Sequence, residues 1–420
     1  MRIIDGISVW GDPVDEGALQ QIRTCSAEGV AAALMADHHI GYSVPIGGVI
    51  AYENKVSPSG VGYDIACGNK AVRLDADAAE VRRNISKIMD DIWKTLSFGV
   101  GLKNNERVDH ELFDDEAWTL EPARSIKEKA RAQLGTIGSG NHYVDLFVDE
   151  QDSVWIGVHF GSRGFGHTVA SHFIRAGGGS DGMYVEPVLL DVNSAIGADY
   201  LAQMTLAGRY AYAGRDWVCQ RVARLIGANI VEEVHNHHNF AWKEEHGGRQ
   251  VWVVRKGATP AFPGQKGFIG GSMGDISVIV EGVDSEESQA ALYSTVHGAG
   301  RVMSRTRAAG KRQRRWVCSN RDCTWSHRGP RPIACPECGN TKIRKLVIAT
   351  DGEVTRDSML EWVRSMGVEL RGAGTDESPH CYRRLPEVLE HHEGSIRVLH
   401  TLTPIGVAMA GPEVFDPYKD

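Results

Sequence analysis

The segment Ser294-Thr295-Val296-His297-Gly298-Ala299-Gly300-Arg301-Val302-Met303-Ser304-Arg305 sets one imidazole among small residues and follows it with two arginines. The glycines remove side-chain bulk, so a ligand can approach the backbone around His297 closely. Arg301 and Arg305 offer forked donors that suit phosphate oxygens. A neutral imidazole beside bound phosphates can attack phosphorus and hold it covalently. A histidine in a Gly-rich turn is more often structural, so this reading depends on what the other loops bring.

Several loops carry metal-ligand chemistry. In Ser59-Gly60-Val61-Gly62-Tyr63-Asp64-Ile65-Ala66-Cys67-Gly68, the carboxylate and the thiol are three residues apart, so one tight turn aims both at the same point. That pair suits Mn²⁺, Fe²⁺ or Zn²⁺; alone, a small buried cysteine beside a turn aspartate is the plainer reading. His142 follows Gly138-Ser139-Gly140-Asn141, and His159 opens His159-Phe160-Gly161-Ser162-Arg163-Gly164. A third group is His235-Asn236-His237-His238-Asn239. If these loops converge, Asp64, Cys67, His142, His159 and His238 supply enough ligands for two ions sharing the thiolate. Two ions beside Arg163, Arg301 and His297 would suit phosphoryl or nucleotidyl transfer. Asp37, His38 and His39 are further polar candidates, although paired histidines on a loop are more often solvated. The run Gly270-Gly271-Ser272-Met273-Gly274-Asp275-Ile276-Ser277 could cradle phosphates or a base edge, but it lacks the G-K-[ST] of a P-loop.

A separate constellation is Cys318-(x4)-Cys323-(x11)-Cys335-Pro336-Glu337-Cys338, whose two cysteine pairs read as a zinc ribbon with a closed, structural Zn²⁺ site. The other four cysteines, Cys25, Cys67, Cys219 and Cys381, are scattered, which in a reducing compartment favours metal binding over disulfides. Residues 311–345 hold ten Lys/Arg against Asp322 and Glu337, net +8. The whole chain has 46 basic and 54 acidic residues, so the remainder carries 36 against 52, net −16. A basic island on an acidic body suggests contact with a polyanion; a solvated, metal-stapled loop is the plain alternative.

The elements that must position these residues alternate. Short apolar strands and a helix near Glu16–Gly29 occupy residues 1–60, and helical periodicity covers 76–95 and 115–134. Apolar strands are expected at Val144–Val148, Val154–Val158, Val251–Val254, Lys345–Ala349 and Ile396–Ala410. A long helix over about Asp199–His235 would carry the 235–239 histidines at its C-terminus, where they would either compensate the dipole or serve as ligands. Composition is that of a soluble globular protein. No apolar run approaches a bilayer span and the N-terminus lacks a signal-peptide pattern, so a cytoplasmic location is the expectation.

Asp64-Ile65-Ala66-Cys67-Gly68, Gly138–His142, His159–Gly164, His238-Asn239, Gly271-Ser272-Met273-Gly274 and His297–Arg305 together resemble, in order, the signature motifs of RtcB-type RNA ligases. The resemblance covers about residues 1–310 and 346–411. It implies an α+β catalytic domain in two parts, 1–310 and 346–420, interrupted by the zinc ribbon at 311–345. It further implies that Cys67 bridges two Mn²⁺ ions, with Asp64 and His142 completing one site and His159 and His238 the other. His297 would attack the α-phosphate of GTP and become guanylylated. GMP would then pass to an RNA 3′-phosphate, and an RNA 5′-hydroxyl would displace it; a 2′,3′-cyclic phosphate would be opened first. Asn141, Arg163, Asn239 and Arg301 would hold phosphates, and Ser272, Ser277 and Tyr382 would line the guanine pocket. RNA repair or tRNA splicing, with an activating helper protein, would be the setting.

Three departures stand out. Asp145 replaces the Glu usual in the guanine pocket, Ala410-Gly411 replaces Lys-Gly, and Met35-Ala36-Asp37-His38-His39 lacks the proline expected after methionine. Residues 412–420, with Lys419, extend past the usual end of the motif. Two other readings accompany these departures: a divergent paralogue capping or sealing a special 3′-phosphate end of damaged RNA or DNA, and a non-catalytic RNA-binding protein. Retention of His297 with Arg301 argues against the last.

Overall fold

The computed structural model describes residues 1–180, 182–320 and 322–414, without the side chains of 312–314 and 347–349. Lys419 and Arg321 lie outside the described residues, as do the side chains of Arg312 and Arg314. The fold is α+β, built on two largely antiparallel sheets. One has six strands in the order Arg2–Ile4, Ile7–Val9, Ala31–His39, Ile46–Tyr52, Arg249–Lys256, Asn239–His246. The other runs Ile230–His237, Gly68–Asp77, Ser153–His159, Tyr143–Asp149, Ile396–Met409, Ser277–Gly282, Lys266–Ile269, with Glu369–Arg371 added beside Ile396–Met409.

Strand alternation divides this second sheet into a core face and a site face. Val144, Leu146 and Val148 lie opposite Val158, Ile156 and Val154, and all six pack with Met89 and Ile92 of helix Ile85–Thr95 and Val218 and Val222 of helix Ala195–Ile226. The intervening residues must then face the other way, because successive strand side chains point to opposite faces. Tyr143 pairs with His159, which also pairs with Asn69, so aromatic, imidazole and amide share one row. Register alone therefore delivers His159, Asn69, Tyr143 and Asp145 to one side.

The helix expected over Asp199–His235 ends earlier, at Ile226. Gly227 adopts φ 81° and its N–H closes on the Ala223 and Arg224 carbonyls, a left-handed stop that glycine accepts without a Cβ penalty. The β-branched Ile230-Val231 and Val234 then favour a strand, Ile230–His237, paired antiparallel with Gly68–Asp77. The histidine cluster is thus a strand end and a hairpin corner, and its imidazoles do not serve a helix dipole. The helical stretches near 76–95 and 115–134 are also shorter: Ala78–Arg83, Ile85–Thr95 and Ala123–Gln133.

Strands Lys311–Cys318, Ser326–His327 and Ile343–Thr350 form a small separate sheet, paired from Lys311↔Thr350 to Cys318↔Ile343. Among the described residues no helix is long and apolar enough to cross a membrane.

Candidate active site

Asp64 to Cys67 forms a tight turn: the Cys67 N–H reaches the Asp64 carbonyl at 3.0 Å, and Ala66 takes φ 59°. That unusual backbone is held from two sides. The Ala66 N–H donates to the Asn239 carbonyl, and the His238 and Asn239 N–H groups both donate to the Cys67 carbonyl. Beneath them lies Arg215, fully buried on the long helix. Its guanidinium donates to the carbonyls of Ala66 (3.1 Å) and Phe160 (2.5 Å) and contacts His235 Nε2 (2.8 Å) and His237 Nδ1 (2.9 Å). One side chain therefore ties together the segments that carry Cys67, His159 and His238.

The five expected ligands converge. Cys67 Sγ lies 3.6 Å from His142 Nε2 and 3.2 Å from His159 Nε2; His159 Nε2 is 3.3 Å from His238 Nε2, and His142 Nε2 is 3.0 Å from Asp64 Oδ2. These atoms make two clusters, Asp64–Cys67–His142 and Cys67–His159–His238, that share the sulfur. Asp64 Oδ1 and His238 Nδ1 are buried without a hydrogen-bond partner.

Protonation is set by burial and neighbours. Burial followed by the charges of nearby histidines holds His159 and His238 well below the usual imidazole range, leaving them neutral and able to act as ligands. Burial, reinforced by the Asp64 charge, pushes the Cys67 thiol up, so it needs a bound cation to become a thiolate. Burial would raise Asp64, but the His142 hydrogen bond and the charges of His142 and Arg163 outweigh it and the carboxyl ends lower. His159 Nδ1 is 3.0 Å from the Asn141 carbonyl, which fixes that nitrogen as the donor and leaves Nε2 as a lone pair facing the sulfur. His142 Nδ1 has two competing neighbours, the Ile137 carbonyl at 3.0 Å and Arg163 at 3.2 Å. A divalent ion held at Nε2 would leave the proton on Nδ1 and so favour the Ile137 bond. The donor set fits divalent-metal binding, with the Cys67 sulfur common to both clusters.

His297 stands at the edge of this cluster, its ring centroid 4.8 Å from that of His238. Behind it is Asp37, with no exposed surface: Oδ2 accepts the His297 and Gly298 N–H groups and lies 2.6 Å from His297 Nδ1. Burial would raise this carboxyl, but the charge and hydrogen bonds of His297 win and it is lowered. Gly300, at φ 74°, allows the chain to pass over Asp37; a Cβ there would sit 2.4 Å from the Asp37 carbonyl oxygen.

One cleft, fed by both sheets, is lined by Asp64, Cys67, His142, His159, His238 and His297 and by Asn141, Asp145, Asn239, Ser272, Arg301 and Tyr382. Asp145 is buried, its Oδ1 has no partner, and burial drives its carboxyl well above the usual range against a backbone hydrogen bond from Ala408. The Tyr143 hydroxyl beside it is likewise unpartnered. Both arginines of the 294–305 segment are already engaged. Arg301 meets Glu377 at 3.0 Å and the Tyr382 hydroxyl at 2.6 Å, and Arg305 meets Asp376 at 2.9 Å. Asn239 is used structurally, accepting from the Gly257 N–H and donating to the Asp64 carbonyl.

Of the residues singled out in the sequence, Arg163, Ser277 and Ala410 do not line the cleft, nor do Asp37, His38 and Arg305. Arg163 sits behind His142. Ser277 accepts from the Gly271 N–H and braces the loop instead. Ala410 packs among core residues such as Val144 and Ile405. Conversely, Asn69, Glu377 and Arg215 have no prominence in the sequence, and Asp37 has little. An acid just after the apolar run Ala31–Met35 is a usable signal for Asp37, since a carboxylate there needs a partner.

The ribbon cysteines cluster as well. Cys318 Sγ is 3.5 Å from Cys338 Sγ and Cys323 Sγ is 3.6 Å from Cys335 Sγ. These spacings are far beyond a disulfide bond and near the edge of about 3.8 Å of a tetrahedron with zinc–sulfur bonds of about 2.3 Å. Asn320 N–H and Asn340 Nδ2 both donate to Cys318 Sγ, the partners a thiolate requires.

A family profile described as tRNA-splicing ligase RtcB matches residues 19–123 and 113–323. The chain is 33% identical over 339 residues to the RNA-splicing ligase RtcB of Escherichia coli K12, covering 72% of this chain and 82% of that protein. It is 32% identical over 385 residues to the tRNA-splicing ligase RtcB of Archaeoglobus fulgidus (72% and 78%). With its Thermococcus kodakarensis counterpart it shares 29% identity over 462 residues (89% and 86%). The chain that gathers Cys67, three histidines and His297 around one cleft belongs to the RtcB tRNA-splicing ligase family.

Proposed function

We propose that this protein is an RNA ligase that joins a 3′-phosphate or 2′,3′-cyclic phosphate end to a 5′-hydroxyl end, dependent on GTP and Mn²⁺. The observation that carries the reading is His297: a solvent-reachable imidazole, 15% exposed, backed by a fully buried carboxylate and set against a donor set centred on the Cys67 sulfur.

In this reading Asp64, Cys67 and His142 hold one Mn²⁺ and Cys67, His159 and His238 the other, and the ions, when bound, supply Lewis-acid withdrawal of charge from the phosphates. Asp37 keeps the proton of His297 on Nδ1, so Nε2 carries the lone pair. Nε2 attacks the α-phosphorus of GTP; the P–N bond forms as the P–O bond to pyrophosphate breaks. The imidazole is then cationic, and the Asp37 carboxylate offsets that charge. Water first opens a cyclic phosphate to a 3′-phosphate where one is present. An oxygen of the RNA 3′-phosphate next attacks the GMP phosphorus, returning His297 to its neutral form. Finally the 5′-hydroxyl attacks the 3′-phosphorus, a phosphodiester forms, GMP leaves, and the hydroxyl proton passes to solvent or base. Asn141, Asn239 and Arg301 position phosphates, while Ser272, Tyr382 and Asp145 shape the guanine site; Arg163 and Ser277 act from outside the cleft, Arg163 behind His142 and Ser277 by bracing Gly271. The unpartnered Asp145 Oδ1 supports that last assignment, because a base N–H would satisfy it. The ribbon holds a structural Zn²⁺ on Cys318, Cys323, Cys335 and Cys338. Pairing of Lys311 with Thr350 supports reading it as an insert rooted in a hairpin between the 1–310 and 346–420 parts of the catalytic domain. RNA repair or tRNA splicing, in the cytoplasm and with a helper protein for turnover, is the corresponding setting.

The test is incubation with Mn²⁺ and each α-³²P-labelled NTP, followed by denaturing electrophoresis. A protein band with GTP that disappears in His297→Ala is the expected result. A band with another NTP means Asp145 and its neighbours have changed the base preference, and no band in folded, metal-loaded protein overturns the proposal.

A further inference from the structure

The ribbon presents an ordered aromatic and cationic face that the cleft chemistry does not use. Strand register places Trp316 opposite His327 on one neighbour and opposite Lys345 on the other. Directly paired residues share a face of a sheet, so these three form a row across it. Trp325, two residues before His327, stacks on it with ring planes 14° apart and centroids 5.9 Å apart. Arg331 and Lys345 hold their charges 5.7 and 5.6 Å from the Trp316 ring, and the Trp316 Nε1–H is anchored on the Gly329 carbonyl. His327, Arg331 and Lys345 are exposed, and Trp325 is half-buried.

Charge selects the kind of partner. The ribbon segment is net +8 where the rest of the chain is net −16. Four thiolates and one Zn²⁺ would subtract two charges and still leave the module strongly positive. A surface of that sign on an acidic body attracts polyanions locally. The aromatic pair narrows the choice further: stacked rings at solvent take up unpaired bases, which a duplex keeps inside its own stack. We propose that the face bearing Trp325, His327, Trp316, Arg331 and Lys345 docks a single-stranded RNA segment, with bases on the Trp325–His327 pair and backbone phosphates on Arg331 and Lys345. This rests on the ligase reading for the identity of the strand as substrate, but the docking itself needs neither GTP nor Mn²⁺.

The experiment uses the full-length, zinc-loaded chain and a fluorescently labelled single-stranded RNA oligonucleotide, with anisotropy read as a function of salt and without GTP or Mn²⁺. Trp325→Ala with His327→Ala should weaken binding about 10- to 100-fold, whereas Trp325→Phe should restore most of it. Arg331→Gln with Lys345→Gln should flatten the log–log salt dependence by about 0.7 for each phosphate no longer neutralised. Zinc content, measured on every variant, shows that the ribbon is intact. GTP labelling of His297 should be unchanged in all of them. Equal RNA affinity in wild type and zinc-containing variants overturns the inference and leaves the ligase reading standing. Equal competition by duplex RNA overturns the stacking assignment, as would ribbon variants that lose only a protein partner. Ribbon-dependent RNA binding without any His297 labelling supports the docking face and overturns the ligase reading instead.

Discussion

Asp37 and His297 are separated by 260 residues in sequence and by 2.6 Å in space. The carboxylate also caps the His297 and Gly298 N–H groups, so it orients the ring and the backbone that carries it. Asp37→Asn keeps an acceptor for those N–H groups but loses the charge that offsets an imidazolium. Nucleotide attachment in this variant should fall by about 10²- to 10⁴-fold, by analogy with other carboxylate–imidazole pairs, with GTP binding little affected. A variant that labels at the wild-type rate would mean that Asp37 acts only as a backbone brace.

Cys67 is the common vertex of the two ligand clusters, which makes its loss unlike the loss of any other ligand. His142→Ala and His238→Ala should each retain one tightly bound Mn²⁺ per chain, and Cys67→Ala should retain none after dialysis. Metal analysis of the three proteins decides the matter. Retention of one tight ion by Cys67→Ala would show that the sulfur is not shared.

Arg215 distributes its donors over four partners in the core beneath the cleft. Lysine has a single donor head and cannot span them. Arg215→Lys leaves buried carbonyls unsatisfied, at a cost of about 3 kcal/mol, and should also lower Mn²⁺ occupancy, because Ala66 and Phe160 adjoin two ligands. Thermal unfolding and metal content are read together. A destabilised protein with full metal occupancy would reduce Arg215 to a core brace.

Lys256 is buried without a carboxylate; its ammonium donates to the Tyr42 and Val44 carbonyls, and burial, only partly opposed by Cys25, lowers it to about 8. Below that pH both folded and unfolded chains hold the proton, and the folded state bears the full cost of the buried charge. Above it the folded chain releases the proton first, so the wild type should gain stability relative to Lys256→Met as pH rises. The gain should reach about 2 kcal/mol between about pH 8 and 9.5. Urea titrations of both proteins across that range measure it, and a pH-independent difference would show that the two carbonyls fully compensate the charge.

The residues that converge in the cleft are more legible in the sequence than their supports are. Asp64, Cys67, His142 and His159 sit in Gly-rich turns at strand ends, where polar residues have no packing reason to be. His238 is equally visible, but its element is not: the helical period of 195–226 reads on through Gly227 into what the structure shows to be a strand. Arg215 is hidden because one buried arginine on a 32-residue helix resembles any exposed one until the hairpin that covers it is known. Asn69 is hidden for the same reason, since its partners Phe268 and His297 lie far away along the chain, as does the Arg301 that Glu377 meets. The Ala410 departure loses weight once that side chain is seen to face the core.

Strand Ile396–Met409 lies between Tyr143–Asp149 and Ser277–Gly282, so it is an interior strand of its sheet although it comes late in the chain. During synthesis the two parts of that sheet wait, each with an open edge, until residue 409 has left the ribosome. Val407 and Met409 belong to the cleft wall, so the wall too is incomplete until then. The emerging chain therefore cannot close the cleft before residues 396–409 have joined the sheet. Closure of the cleft is thereby tied to the emergence of residues 396–409, and a chain shortened before residue 396 would lose an interior strand of the sheet.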